Sequence, residues 1–100
     1  MEARKNIVVK NRTGLHARPA AVFVQKASKY ESDITIIKED QEVNGKSIMG
    51  ILMLAAEKGA KITIIARGDD AERAVEELSE LLMHDVELNA DNKNGGKTGR

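Results

Sequence analysis

Residues 60–82 read AKITIIARGDDAERAVEELSELL, a strand pattern followed directly by a helix pattern. Alternation of apolar and other residues predicts a strand over Ala60–Arg67. Gly68, Asp69 and Asp70 then end the strand and begin a helix, because acidic residues suit the positive end of the helix dipole. The helix has an apolar stripe made of Ala71, Ala74, Val75, Leu78, Leu81 and Leu82. This stripe is the strongest helical periodicity in the chain, so we expect the helix to pack on the sheet through it.

The preceding residues add three strands and two helices to this unit. Strands are predicted at Ile7–Val9, at Asp33–Ile37 and around Glu42–Val43. One helix runs from Ala17 to about Lys29, with an apolar face formed by Ala20, Phe23, Val24 and Ala27. A second helix follows Ser47. The order βαββαβα predicts an α+β domain with a four-stranded, mainly antiparallel sheet and three helices on one face.

Composition limits the classes of protein to consider. The chain has 100 residues, no cysteine and two aromatic residues, so the core is aliphatic and cysteine-based metal or thiol chemistry is excluded. We expect no metal and no cofactor. The net charge is zero and aromatic residues are scarce, which disfavours nucleic acid as a partner. No apolar run approaches the length of a membrane span, and no signal peptide precedes the first strand, so a cytoplasmic protein is expected.

Charge is distributed unevenly along the chain. Residues 1–29 carry seven bases and one acid, whereas residues 69–87 carry eight acids and one base. If the fold keeps these segments on different faces, the N-terminal helix lies at a positive surface that attracts phosphate and acidic partners. The alternative is that these charges only keep the surfaces solvated.

The stretch Thr13–Ala20 contains the most reactive-looking side chain, that of His16. Pro19 is typical of a first helical turn, so His16 lies at or just before a helix start. The free amides of that turn and the guanidinium of Arg18 together favour an anion. A neutral imidazole can attack phosphorus, and this combination therefore fits a reversible phosphoryl carrier. The alternative is that His16 is an ordinary surface residue.

Two motifs resemble those of a known family. Gly14 through Ala20 match Gly-Leu/Ile-His-x-Arg-Pro-Ala, the signature of the HPr family, the histidine-containing phosphocarriers of the phosphoenolpyruvate-dependent sugar phosphotransferase system. Residues 44–50, NGKSIMG, resemble the segment that carries the regulatory serine in HPr proteins of low-GC Gram-positive bacteria. The resemblance covers about residues 2–88. It implies an open-faced β-sandwich whose outer sheet face, with Ile37 and Ile65, is open to solvent.

The resemblance also implies roles for individual residues. His16 would be the phosphohistidine, reacting through Nδ1, and Arg18 would assist it. Ala17 and Arg18 would bind the phosphate, and Thr13 would do so from the rim of the same turn. Ser47 suits a helix N-cap and would also be the site of a regulatory phosphoserine. The residues that face partners would be Ile48, Met49 and Leu52, which we expect to be exposed. The resemblance does not decide whether Met53 and Leu54 also face partners.

The implied partners follow from these roles. Enzyme I would donate the phosphoryl group, and sugar-specific transporter domains (EIIA) would receive it. A dedicated HPr kinase/phosphorylase and a catabolite-control transcription factor would act through Ser47. The chain would be a carrier and not an enzyme. Two alternatives remain open: a regulatory paralogue acting through phosphorylated Ser47, a class in which the active histidine is usually lost, and a small α/β binding module.

Three positions depart from the family pattern or extend beyond it. The segment Lys38–Gln41 lacks the glycine that many members have in this hairpin, so we expect a looser connection there. Ala55 stands where relatives often have glycine, so the loop after the second helix is expected to differ. Residues 1–88 are predicted to form the domain, and residues 89–100, rich in Asn, Gly and Lys, a disordered tail. We interpret His84, near the end of the last helix, as structural.

Overall fold

A computed structural model describes residues 1–10 and 17–83, with Ala17 described by its backbone alone. The elements follow the predicted order. They are β1 (Glu2–Val8), α1 (Ala17–Ala27), β2 (Asp33–Lys38), β3 (Gln41–Asn44), α2 (Ile48–Leu54), β4 (Lys61–Arg67) and α3 (Ala71–Met83). The predicted tail and His84 lie outside the described residues.

The four strands form one antiparallel sheet in the order β1-β4-β2-β3. The stretch that opens with β4 is therefore central, because β4 pairs with β1 on one side and with β2 on the other. Strand residues of one face pack with all three helices in a single aliphatic core. The sheet contributes Ile7, Ile34, Ile36, Ile62, Ile64 and Ala66, and the helices contribute residues such as Phe23, Leu54 and Leu78. The predicted stripe of α3 is buried along its whole length.

The outer face of the sheet carries no helix from the described elements. Ile65 points to that face from β4, where it stands opposite Arg4 on β1 and Thr35 on β2. Ile37 points the same way and is partly exposed. Ile65 is nevertheless only 5% exposed. Side chains directly opposite each other across strands lie close enough to cover one another, so a central position is shielded even on an open face.

Two local predictions were wrong. β1 begins at Glu2 and not at Ile7, because residues 2–5, three of which are charged, continue the pairing with β4 as far as Arg67. The β2–β3 connection is tight and not loose, since Lys38 pairs directly with Gln41 and leaves only Glu39 and Asp40 in the turn. Glu39 has φ 57°, so it adopts without glycine the left-handed conformation that the turn requires.

At the C-terminus of α2, Ala55 occupies a left-handed cap position that usually takes glycine. Ala55 caps the helix with φ 52° and ψ 43°, and its amide donates to the Leu52 carbonyl at 3.1 Å. Lys38 Nζ donates to the Leu54 and Ala55 carbonyls, each at 3.3 Å. The loop therefore keeps the usual glycine-type cap with an alanine in it.

Replacing Ala55 by glycine is expected to stabilise the protein by about 1 kcal/mol, because a Cβ in the left-handed region costs roughly that amount. Urea denaturation followed by circular dichroism would measure the change in the free energy of unfolding. Ala21→Gly is the matched control: Ala21 lies inside α1, where the same substitution should destabilise by about 0.5–1 kcal/mol. Destabilisation by Ala55→Gly would contradict the assigned cap.

The basic and acidic segments are not kept on different faces. α3 packs beside both β1 and α1, and Lys26 Nζ lies 3.4 Å from Glu77 Oε2. The Tyr30 hydroxyl also donates to Glu77. Opposite charges therefore meet between α1 and α3, and the condition that the two segments lie on different faces is not met there.

Tyr30 offers a direct measure of this contact, because it is the only tyrosine in the chain. Burial, followed by the hydrogen bond to Glu77, raises the pKa of Tyr30 to about 12. A raised pKa means that the contact stabilises the fold fully below about pH 10, the ordinary tyrosine value, and that this stability is lost as pH rises toward 12. We expect the ultraviolet absorbance of tyrosinate to show this late midpoint, and Glu77→Gln to lower it. An unshifted midpoint in the parent protein would rule out the contact.

Among the described residues, no helix is both long and apolar enough to cross a membrane.

Candidate functional site

The predicted phosphate site surrounds the start of α1. The helix begins at Ala17, so His16 immediately precedes its first residue. Arg18 is exposed in the first turn, whereas Pro19 and Ala20 are buried. His16 and Thr13 themselves lie outside the described residues. The described part of the site thus consists of a helix start, whose first-turn amides have no partner within the helix, and an exposed guanidinium.

The helix that carries this site is held firmly. Phe23 and Ala27 are fully buried in the core, and α1 contacts both α2 and α3. At its far end, Lys46 Nζ donates to the Tyr30 carbonyl at 2.7 Å. Packing of α1 against the core and the neighbouring helices therefore fixes the direction of its backbone amides.

Ser47 is the N-cap of α2, as predicted. Its backbone is extended (φ −109°, ψ 117°), and its Oγ accepts a hydrogen bond from the Gly50 amide at 3.1 Å. The turn before it is tightly built, because the Asn44 side chain accepts from the Lys46 amide at 2.8 Å. A Cβ on Gly45 would lie 2.5 Å from Ile34 Cγ2. Ser47 is partly exposed, and its hydroxyl oxygen is the acceptor that caps the helix.

α2 presents an apolar surface to solvent. Its exposed members, which we call the α2 patch, are Ile48 (41% exposed), Met49 (66%), Leu52 (39%) and Met53 (68%). Ile51 and Leu54 are fully buried in the core. The sequence did not decide whether Met53 and Leu54 are exposed. In the structure Met53 belongs to the exposed surface, whereas Leu54 belongs to the core.

α2 runs antiparallel to α1. Its start lies near the end of α1, since Lys46 reaches the Tyr30 carbonyl. Its last carbonyls instead contact Lys38, at the opposite end of β2. Because the two helices pack against each other, the last turn of α2 lies toward the N-terminus of α1, at Ala17. The α2 patch therefore extends from Ser47 toward the predicted phosphate site.

Sequence reasoning missed two positioning side chains. Lys46 lies inside a motif that was already identified, yet its hydrogen bond to the Tyr30 carbonyl joins the turn before α2 to the segment after α1. Lys38 looks like an ordinary turn residue in the sequence, but it caps the carbonyl end of α2. Neither interaction has a local signal, because both partners are distant along the chain.

Within the described ranges, no group of three or more His, Asp or Glu residues is arranged to hold a metal ion.

Comparisons with known proteins agree with this arrangement. The family model PTS-HPr, the PTS HPr component phosphorylation site, matches residues 3–84. The HPr-like protein Crh of Bacillus subtilis is 42% identical over 83 residues, covering 83% of this chain and 98% of that protein. The phosphocarrier protein HPr of Mycoplasma capricolum is 40% identical over 81 residues, covering 81% and 91%.

Solved structures show the same fold. The crystal structure of the phosphocarrier protein HPr from Bacillus anthracis is similar with a TM-score of 0.79 and 47% identity, covering 81% of this chain and 96% of that one. The solution structure of Crh, the Bacillus subtilis catabolite repression HPr, is similar with a TM-score of 0.65 and 41% identity, covering 82% and 98%. The match covers the histidine segment, the serine segment and the complete βαββαβα order. The chain therefore belongs to the HPr family of phosphocarrier proteins of the sugar phosphotransferase system.

Proposed function

We propose that this protein accepts a phosphoryl group on His16 from enzyme I and passes it to sugar-specific EIIA domains. The observation that carries the proposal is the start of α1 at Ala17, directly after His16, with Arg18 exposed in the same turn. Membership of a phosphocarrier family gives this local arrangement its chemical meaning.

The transfer step needs little beyond positioning and charge stabilisation. A ring nitrogen of neutral His16 attacks phosphorus as the bond to the donor breaks, and the reverse displacement regenerates the free imidazole. Arg18 neutralises charge on the phosphoryl oxygens. The amides of the first turn donate hydrogen bonds to these oxygens at the positive end of the helix dipole. Thr13 contributes a hydroxyl at the rim. Ala17 contributes its backbone amide.

The α2 patch serves as the docking surface in this proposal. Ile48, Met49 and Leu52 are large, apolar and exposed, which favours burial against a partner. Phosphorylation of Ser47 by an HPr kinase/phosphorylase would add about two negative charges at the start of the same helix. It would change the docking of partners without unfolding the protein, because the helix dipole stabilises a negatively charged phosphate at the helix N-terminus.

A second function is supported by one specific observation. Proteins named Crh, for catabolite repression HPr, are among the close relatives, at 42% identity in the Bacillus subtilis case. The chain would then act mainly through phosphorylated Ser47 and a catabolite-control transcription factor. His16 is present in this sequence, and for that reason we rank phosphoryl transfer first.

One labelling experiment separates the two functions. The full chain is incubated with phosphoenolpyruvate and enzyme I, or with ATP and an HPr kinase, and the label is tested for stability in acid. Phosphohistidine is acid-labile and phosphoserine is acid-stable. We expect an acid-labile label on the peptide containing His16, and its transfer onward to an EIIA domain. A label found only on Ser47, and only with the kinase, would support the regulatory function instead.

The domain boundaries and location are part of the same proposal. Residues 1–88 form the functional unit, residues 89–100 are a tail outside it, and the protein acts in the cytoplasm, where its partners are. Deleting residues 89–100 is expected to leave the acid-labile labelling unchanged.

A further inference from the structure

Two methionines dominate the exposed surface of α2. Met49 and Met53 are 66% and 68% exposed, more than the other members of the α2 patch. They are four residues apart in a helix, so their thioethers lie next to each other on one side. The chain has four methionines in all. Met83 is partly buried against the core, and Met1, which precedes β1 and is not part of α2, is 73% exposed.

The location of this pair matters for any partner of the helix. Met53 lies in the last turn of α2, the turn nearest the start of α1. A protein that reaches the first turn of α1 while resting on α2 must therefore cover this pair. Methionine is common at such surfaces because its flexible, polarizable side chain adapts to different partners.

Exposed thioethers are also substrates for peroxides. Hydrogen peroxide transfers one oxygen atom to the sulfur, which is oxidised by two electrons to a sulfoxide. The peroxide O–O bond breaks, and water leaves with the second oxygen. A sulfoxide is polar and chiral, whereas the thioether is apolar, and methionine sulfoxide reductases reverse the change.

We propose that Met49 and Met53 form a reversible oxidation site that weakens partner docking on α2. This inference rests on the proposed phosphocarrier function. Burying a sulfoxide against an apolar partner leaves its oxygen without a hydrogen bond, so partner affinity falls by about tenfold for the oxidised pair. The fold itself is unaffected, because both side chains project into solvent and contribute little to the core. Peroxide thereby becomes a signal that slows phosphoryl transfer.

The first experiment treats the full chain with graded hydrogen peroxide and identifies the oxidised residues by peptide mass spectrometry. Met49 and Met53 should be oxidised well before Met83, while the circular dichroism spectrum and Tm stay the same. Oxidation of Met83 at an equal rate, or loss of the fold at the same dose, would overturn the proposal.

The second experiment measures transfer from phosphorylated enzyme I to the untreated and the oxidised carrier. Oxidation should raise the KM for the carrier by about tenfold with little change in kcat, and methionine sulfoxide reductase should restore it. The double variant Met49→Leu/Met53→Leu is the matched control, since leucine keeps the apolar surface without sulfur. Whatever KM this variant has before treatment, peroxide should leave that KM unchanged.

The outcomes separate this inference from the function beneath it. If the untreated protein accepts no phosphoryl group, the proposed function fails and the docking role fails with it. If the untreated protein is active and the doubly oxidised protein has the same KM, only the oxidation site is wrong. Equal losses in the parent and in the double leucine variant would assign the effect to another residue, and would also overturn the proposal.

Discussion

Replacing His16 by alanine is expected to abolish the acid-labile label completely. Neutral imidazole has a ring nitrogen free to attack phosphorus, whereas the guanidinium of Arg18 stays protonated and is a poor nucleophile, so we expect no neighbouring side chain to replace His16. The chain has one other histidine, His84. His84→Ala is therefore the matched control, and it should keep the full label. Incubation with phosphoenolpyruvate and enzyme I, followed by acid treatment, measures both.

Arg18→Ala tests the second member of the same site. Removing a donor that stabilises charge in a transition state commonly costs about 10²–10³ in rate, and we expect a loss of that size in transfer to His16. Arg18→Lys should recover part of it, because the charge remains while the planar fork is lost. Arg18 is exposed, so neither variant should change stability. An acid-labile label in His16→Ala, or an unchanged rate in Arg18→Ala, would refute the proposed site.

The largest effect on stability is expected at Gly68, between β4 and α3. Gly68 has φ 153°, and a Cβ there would lie 2.5 Å from Ser32 Oγ and 2.7 Å from Ser32 Cα. Ser32 is fully buried and can move aside only by breaking two hydrogen bonds, since its amide donates to Asp70 Oδ1 at 3.0 Å and its hydroxyl donates to the same oxygen. That hydroxyl lowers the pKa of Asp70, together with the Glu31 amide. We expect Gly68→Ala to lower the free energy of unfolding by about 2–4 kcal/mol, through strain and overpacking together.

Gly59→Ala separates those two causes. Gly59 also has a positive φ, 93°, but a Cβ there would meet no atom within 4 Å. This variant should therefore lose only the backbone term, about 1 kcal/mol. Urea denaturation of both variants measures the difference. Equal losses at the two positions would show that contact with Ser32 adds nothing.

The acid range gives an independent check on the Ser32–Asp70 contact. A lowered pKa means that the contact stabilises the fold above the ordinary aspartate pKa of 3.8, and that this stability is lost as pH falls below it. Gly68→Ala, which displaces Ser32, should flatten the fall of Tm in that range.

Regular patterns in the sequence were enough for the elements of the fold. The stripe of α3 and the alternation in β4 repeat over many residues, so each could be identified without knowing its neighbours. The same holds for the Ser47 cap, whose hydrogen bond closes within three residues. Boundaries and turns were less well predicted. The extension of β1 to Glu2 depends on pairing with β4, and the tight β2–β3 turn depends on strands that hold Glu39 at a positive φ.

The candidate site likewise has features that the local sequence predicts and features that depend on tertiary contacts. The sequence by itself was enough to propose which residues carry the chemistry, because His16, Arg18 and Pro19 lie within one turn of chain and Ser47 lies next to the helix that it caps. Only the tertiary structure decided which residues surround them: that α2 runs back toward the start of α1, that Met53 is exposed while Leu54 is buried, and that Lys38 and Lys46 hold the two helices. The physical reason is the distance along the chain over which each interaction acts. Capping and periodicity act between residues a few positions apart, whereas burial and helix orientation depend on contacts between segments that only the complete fold brings together.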